Sequence, residues 1–207
     1  MTADRKHGVP APETHSTIRS EDWDSEDLSG RRYERVAFVD VDMTEATSRG
    51  ATFHECVFRD VRFNASSHSD SAFTNCTFKR CTFFDATFTG CKLVGSVFDD
   101  CTFSLLKVEG GDWSFAGLPG ADLRGVSFKD VRLREADLTK ARCEGAVLRD
   151  ADLSGAWLHS ADFTRADLRG SDLSAIDPLV AELKDAVIDV RQAVTLAMTL
   201  GLEVRSD

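Results

Sequence analysis

The sequence predicts an all-β solenoid: a parallel coil with four sides, about twenty residues per turn, closed at its C-terminal end by a short helical module. Three observations carry this. From Leu28 to Leu173 every fifth residue is large and apolar, with Ser48 and His68 as the polar exceptions. The residue two before each of these is small in nearly every case, Leu106 being the clear misfit. The register also holds from end to end without a slip, which leaves no room for an inserted loop.

A period of five fits neither regular element. In an α-helix five residues overshoot one turn by about 140°, so the apolar set would wind around the cylinder. In a strand five is odd, so the set would change faces at every step. The pattern can be buried only if the main chain turns once per repeat. Four turns return it above its starting point, and stacked coils hydrogen-bond about 4.8 Å apart. Within each repeat the central residue and the one two before it face inward, and the other three face water. Residues 121–125 and 166–170 both read Ala-Asp-Leu-Arg-Gly, and 151–155 reads Ala-Asp-Leu-Ser-Gly. Gly, Asp and Asn recur at the corners, where they tolerate turn conformations.

Three segments follow. Residues 1–20 are polar, proline-bearing and without a period, and are expected to form a disordered tail. Residues 21–175 form the coil, some seven and a half turns, roughly 36 Å long. Residues 176–207 form the helical cap. Asp177-Pro178 reads as a helix start, with a short helix from Leu179 to about Lys184. Ala186-Val187-Ile188 is β-like and can cover the last coil, and Asp189 caps a second helix running to about Leu200, stopped by Gly201. Val190, Val194, Ala197, Met198 and Leu200 give that helix an apolar face larger than the coil end needs, so they are the expected dimer interface.

These repeats resemble the pentapeptide-repeat proteins, and the resemblance covers about three-quarters of the chain. It implies a right-handed quadrilateral parallel β-helix. The run Ile188-Asp189-Val190-Arg191-Gln192-Ala193-Val194 and the blocks 72–78 and 93–98 are similar to the quinolone-resistance branch of that family, the MfpA and Qnr type. That branch implies a homodimeric rod, joined through C-terminal helices, that mimics duplex DNA and binds DNA gyrase, a type II topoisomerase. It protects the enzyme from inhibitors or inhibits it.

The composition bounds this further. The net charge is −10, which disfavours direct nucleic-acid binding and suits a partner with a basic surface. Between Glu21 and Ala175 there are 27 acids and 19 bases. Over the expected rod that is roughly one net negative charge per 4.5 Å, against about one per 1.7 Å in duplex DNA. DNA-like density therefore requires the acids to segregate. Asp42, Asp85, Asp99, Asp100, Asp122, Asp137 and Asp162 are the candidates when the sequence is folded by twenty. Trp157 falls at an outward position, as do Phe84 and Phe115; isolated exposed aromatics are ordinary, and Trp157 is the exposed aromatic candidate for a partner contact.

Cys56, Cys76, Cys81, Cys91 and Cys101 occupy small inward positions and Cys143 a centre, so they read as core rather than as metal ligands. Ser48 and His68 lie twenty residues apart and should meet on neighbouring coils as a buried polar pair. No orienting acid accompanies them, so no catalytic constellation or cofactor is expected. No apolar stretch is long enough to span a membrane and the N-terminus has no signal-like core, so a cytoplasmic protein is expected. A scaffold with a partner unrelated to DNA topology is the alternative reading.

Overall fold

The structure is a computed structural model, and it describes residues 10–205. The chain is a parallel β-solenoid with four sides. Three sides are sheets in which each residue pairs with the one twenty positions on. The first passes through Ile18, Phe38, Phe58, Phe78 and Phe98. The second passes through Tyr33, Phe53 and Phe73. The third passes through Ser48, His68, Phe88, Val108, Phe128 and Leu148. The fourth side, centred on Met43, Phe63, Phe83, Phe103 and Leu123, is joined by isolated parallel bridges such as Asp42–Arg62 and Thr82–Thr102.

The coil begins before residue 21. Ser16–Arg19 is a strand paired in parallel with Val36–Val39, with Ile18 as its inward residue. The expected disordered tail is thus corrected for these residues, whereas residues 1–9 lie outside those described. The coil also continues past residue 175. Glu182 N–H donates to Ala161 O (2.9 Å) and Val187 N–H to Ala166 O (2.8 Å). The helix expected over 179–184 is therefore a turn of coil. Stacking hydrogen bonds along the previous coil outweigh a helical segment too short to stand alone. The second helix forms as expected, as α1 (Val190–Thr199), with Asp189 and Gln192 in a reciprocal capping box and Gly201 at φ +79° beyond its end.

The turn at each corner is a left-handed residue. From Ser20 to Gly170 every position two after a centre has φ between about +49° and +78°. Aspartate and glycine occupy many of them because they tolerate this conformation best. Gly111 is a different case. It holds an inward position at φ +91°, and a Cβ there would meet Cys91 O at 2.1 Å.

Inside, rings stack along each side at the coil spacing. Phe38, Phe58, Phe78 and Phe98 lie 4.7–4.8 Å apart and within 7° of parallel. Rings on adjoining sides meet edge to face, as Phe58 does with Phe63 at 5.5 Å.

The cysteines satisfy carbonyls. Where a tight turn closes a corner, the N–H three residues on bonds the central carbonyl, as Ser66 does Phe63 O. Several sheet-type corners lack that bond, and there a side chain on the next coil supplies the donor. Cys76 Sγ reaches Phe53 O (3.3 Å), Cys91 Sγ reaches His68 O (3.3 Å) and Ser96 Oγ reaches Phe73 O (2.6 Å). Cys56, Cys81, Cys101 and Ser171 do the same at the identical offset of twenty-three. A small donor is what a buried orphan carbonyl requires.

Gly111→Ala should destabilise the protein by at least about 1–3 kcal/mol, from the backbone conformation alone. Thermal denaturation followed by circular dichroism measures this, and an unchanged midpoint would contradict the tight approach to Cys91.

Candidate functional site

The buried polar pair forms and is larger than expected. Ser48 Oγ lies 2.7 Å from His68 Nδ1 and 2.9 Å from Ser71 Oγ. His68 Nε2 lies 3.1 Å from Ser66 Oγ, whose own proton goes to Phe63 O at 2.7 Å. Ser66 is thereby left to accept, which places the imidazole proton on Nε2 and makes Nδ1 the acceptor from Ser48. The ring sits between Phe63, Phe73 and Phe88. Burial pushes its pKa down to about 3. No carboxylate among the described residues is bonded to it and solvent does not reach it, so the cluster is a closed structural network.

The outer surface carries the other candidates. Asp42 is bonded to Arg62 (2.8 Å), which with Thr44 lowers its pKa to about 2. Asp85 pairs with Lys107 (2.8 Å) and Asp99 with Lys79 (3.0 Å). Asp122 is held by Arg124 and by Arg142, and these hold its carboxyl well below the usual range. These four are therefore neutralised locally, in most cases by a base one coil away. Asp100, Asp137 and Asp162 have no ion pair among the described residues. Asp137 and Asp162 accept backbone N–H bonds from Thr139 and Thr164. The seven candidates do not gather into one stripe.

Other carboxylates without an ion pair among the described residues are spread along the coil, among them Asp22, Asp40, Asp70, Asp130 and Asp150, and Asp172, Asp177, Glu182 and Asp185 join Asp162 near the C-terminal end. Folding the sequence by twenty misses Asp177, Glu182 and Asp185 because it stops the coil at residue 175.

Trp157 is half-buried, which corrects its reading as an exposed anchor. Its backbone is bridged to Asp137, and coils about 4.8 Å apart leave an indole no room to stand clear of its neighbours. Phe84 and Phe115 are exposed as expected, at 53% and 46%, and so is Leu105 at 52%.

On α1, Val190, Val194 and Met198 are exposed and Ala197 is half-buried, and Leu200, the residue after the helix, is exposed. Leu179, Val187, Leu202 and Val204 extend the apolar end. Gln192 is a functional residue that the apolar pattern passes over. It is buried, and its Nε2 donates to Leu168 O (2.6 Å) and Ser171 O (2.7 Å), latching the helix to the coil. Its place three residues after Asp189, in a capping box, is the signal the sequence offers.

A shallow groove of about 400 Å³ runs along the Gly90–Gly110 corner, where Asp112, Asp130 and Asp150 alternate with Lys92 and Arg132. Among the described residues no group of His, Cys, Asp or Glu is arranged to hold a metal ion, and no helix is long and apolar enough to cross a membrane.

Residues 116–175 match the family model of pentapeptide repeats, and residues 28–103 match that of the SV2A/B/C luminal domain. Fold and repeats together define the class: the chain is a pentapeptide-repeat solenoid. No curated protein matches it in sequence. Among solved structures it is similar to full-length QnrB1, a plasmid-mediated fluoroquinolone resistance protein. The identity is 18% and the TM-score 0.71, over 92% of this chain and 99% of that one. A trypsin-treated single-substitution form of QnrB1 aligns at 21% identity and a TM-score of 0.52, over 93% and 99%. At these identities the likeness is one of fold.

Stability should fall as pH drops below about 6.5, because the unfolded chain takes up the His68 proton that the fold refuses until about pH 3. Between about pH 5.5 and 4 the slope from this group is about 1.4 kcal/mol per unit. His68→Phe, matching Phe88 on the next coil, should flatten it. Urea titrations across that range measure the difference, and identical slopes would refute the neutral assignment.

Proposed function

We propose that the protein is a non-enzymatic interaction rod. In this reading it binds a type II topoisomerase, DNA gyrase, where the enzyme holds duplex DNA, and modulates it, with resistance to quinolone-like inhibitors as one outcome. The observation that carries this reading is the match of fold over nearly the full length of both this chain and a fluoroquinolone resistance protein. The acidic balance supports it. Some of the carboxylates without ion pairs, Asp162, Asp172, Asp177, Glu182 and Asp185, lie in the coils next to the apolar C-terminal end. A second copy docked there by a two-fold axis would bring both sets to the middle of one longer rod. Duplex-like charge would then arise from assembly rather than from the average of one chain. The target acts in the cytoplasm, and the reading places this protein there.

The second reading, a scaffold whose partner has no link to DNA topology, is favoured by the pairing of Asp42, Asp85, Asp99 and Asp122 with bases. Purified gyrase separates the two. Under the first reading, supercoiling is inhibited or protected from a quinolone at protein concentrations on the order of micromolar. Asp162→Lys with Glu182→Lys then weakens the effect about tenfold or more. No binding and no change in supercoiling leaves the scaffold.

The dimer is tested separately. The native protein should run at twice the 22.7 kDa chain mass in light scattering. Val194→Asp with Met198→Lys should return it to the single-chain mass while leaving the β-rich spectrum intact. A native protein of single-chain mass would remove the assembly argument.

A further inference from the structure

Two pairs of cysteines stand one coil apart, Cys56 with Cys76 and Cys81 with Cys101. In each pair both residues hold the small inward position of the same side, and their thiols are hydrogen-bonded to one another. The backbone fixes the second pair. Thr102 N–H donates to Cys81 O at 3.0 Å, and Thr82 and Thr102, the next residues along, form a parallel bridge. Neighbouring coils put the two Cα atoms about 4.8 Å apart, inside the range of about 4.4–6.8 Å that a disulfide spans. The side chains also share a direction. Cys81 Sγ lies 3.5 Å from Phe58 O and Cys101 Sγ lies 3.5 Å from Phe78 O, the same contact repeated one coil on.

What separates the two pairs is access. Cys56, Cys76 and Cys81 are fully buried. Cys101 is half-buried, and with Asp122 and Arg124 it lines a surface cavity of about 270 Å³. A small oxidant therefore reaches Cys101 from solvent and finds the Cys81 thiol directly behind it. Packing alone does not demand sulfur here. Ser96 and Ser171 make the same bond to a carbonyl at the same offset of twenty-three, so a hydroxyl serves as well.

We propose that Cys81 and Cys101 are an oxidation site, at which a hydroperoxide joins them into a disulfide that staples two neighbouring coils in the middle of the rod. Cys101, as thiolate, attacks one peroxide oxygen. The O–O bond breaks, and the departing oxygen takes up the thiol proton and leaves, as water when the oxidant is hydrogen peroxide. Cys81 then attacks the sulfenic sulfur of Cys101. The S–O bond breaks, and that oxygen leaves with the Cys81 proton as a second water. Two thiols give up two electrons and one peroxide takes them. The Cys81 thiol and burial hold the Cys101 thiol above its ordinary pKa, so little thiolate is present at neutral pH and the pair answers sustained rather than brief exposure. Forming the bond withdraws the sulfur protons from Phe58 O and Phe78 O, and reduction by a dithiol restores them. The site is independent of the topoisomerase reading, since it uses neither the acidic end nor the dimer face.

Hydrogen peroxide added to the full chain tests it. At completion two of the six cysteines should be closed to alkylation under denaturing conditions, and peptide mapping should find one disulfide, Cys81–Cys101. The β-rich spectrum should be retained, and dithiothreitol should return all six thiols. Cys101→Ser should abolish the thiol loss. Cys81→Ser should stop the reaction at a sulfenic acid on Cys101, captured by dimedone. Serine keeps the donor to the carbonyl, as Ser96 does, so both variants retain the coil. No thiol loss at millimolar peroxide, a disulfide at Cys56–Cys76 or between chains, or a β spectrum lost on oxidation would overturn the proposal.

Discussion

The left-handed corner at every fifth residue is the constraint on which the rest of this molecule depends. It fixes how far the chain turns per side, and so sets twenty residues as the step from one coil to the next. That step puts each N–H opposite a carbonyl of its neighbour and each ring above another of its kind. The corner is costly where it is not glycine, on the order of 1 kcal/mol or more each. The inter-coil ladder and the stacked core offset that cost collectively, because neither exists unless every corner is made. Residues such as Asp60 and Arg80 show a second consequence. A corner side chain points outward and lies directly beneath the corner above, so opposite charges there meet at 2.7 Å.

The coil is not uniform along its length. Toward the N-terminus its first two sides are sheets with phenylalanine centres, and carbonyls left over at open corners are met by cysteine or serine on the next coil. Beyond Phe103, leucine centres with alanine two positions before them predominate, and most corners close on their own turn bond, as Ala136 N–H does on Leu133 O. The two solutions to the same carbonyl problem differ in the shape of each side. They meet at residues 100–125, where the fourth side changes from Phe103 to Leu123. Leu106 sits there in a seat that elsewhere is mostly small, and it is fully buried. At this joint the N–H groups of Phe103, Leu105 and Asp122 make no main-chain bond to the neighbouring coil.

Much of this was legible in the sequence because the period of five writes burial directly. Phe78, Cys81 and Phe83 could be placed inward with no knowledge of the partner coil, and the Ser48–His68 contact followed from a separation of twenty. What the period does not encode was not legible. The strand at Ser16–Arg19 carries one inward apolar residue, too few to show a repeat, and owes its place to pairing with Val36–Val39. The turn over 179–184 reads locally as a helix and is overruled by the coil beneath it. Gln192 is polar on a helix judged by its apolar face, and its role appears only once Leu168 O and Ser171 O lie within reach. The unmade bonds at Phe103, Leu105 and Asp122 leave the register unshifted, so counting by fives passes over them.

The same step of twenty decides what the surface can recognise. Where an acid has a base one turn away, as Asp42 has Arg62, the pair presents little net field, and a partner gains little from it. Charge that can steer a partner must come from positions where the step finds no base. Asp70, Asp130 and Asp150 are such positions along the coil, and Asp172, Asp177 and Glu182 are such positions at its C-terminal end. The usable field of this acidic solenoid is therefore scattered in stretches, and a surface that doubles one end doubles only the part that lies there. Assembly through the apolar cap, as proposed, gathers the stretch at Asp172, Asp177 and Glu182 and leaves Asp70, Asp130 and Asp150 where they stand along the coil.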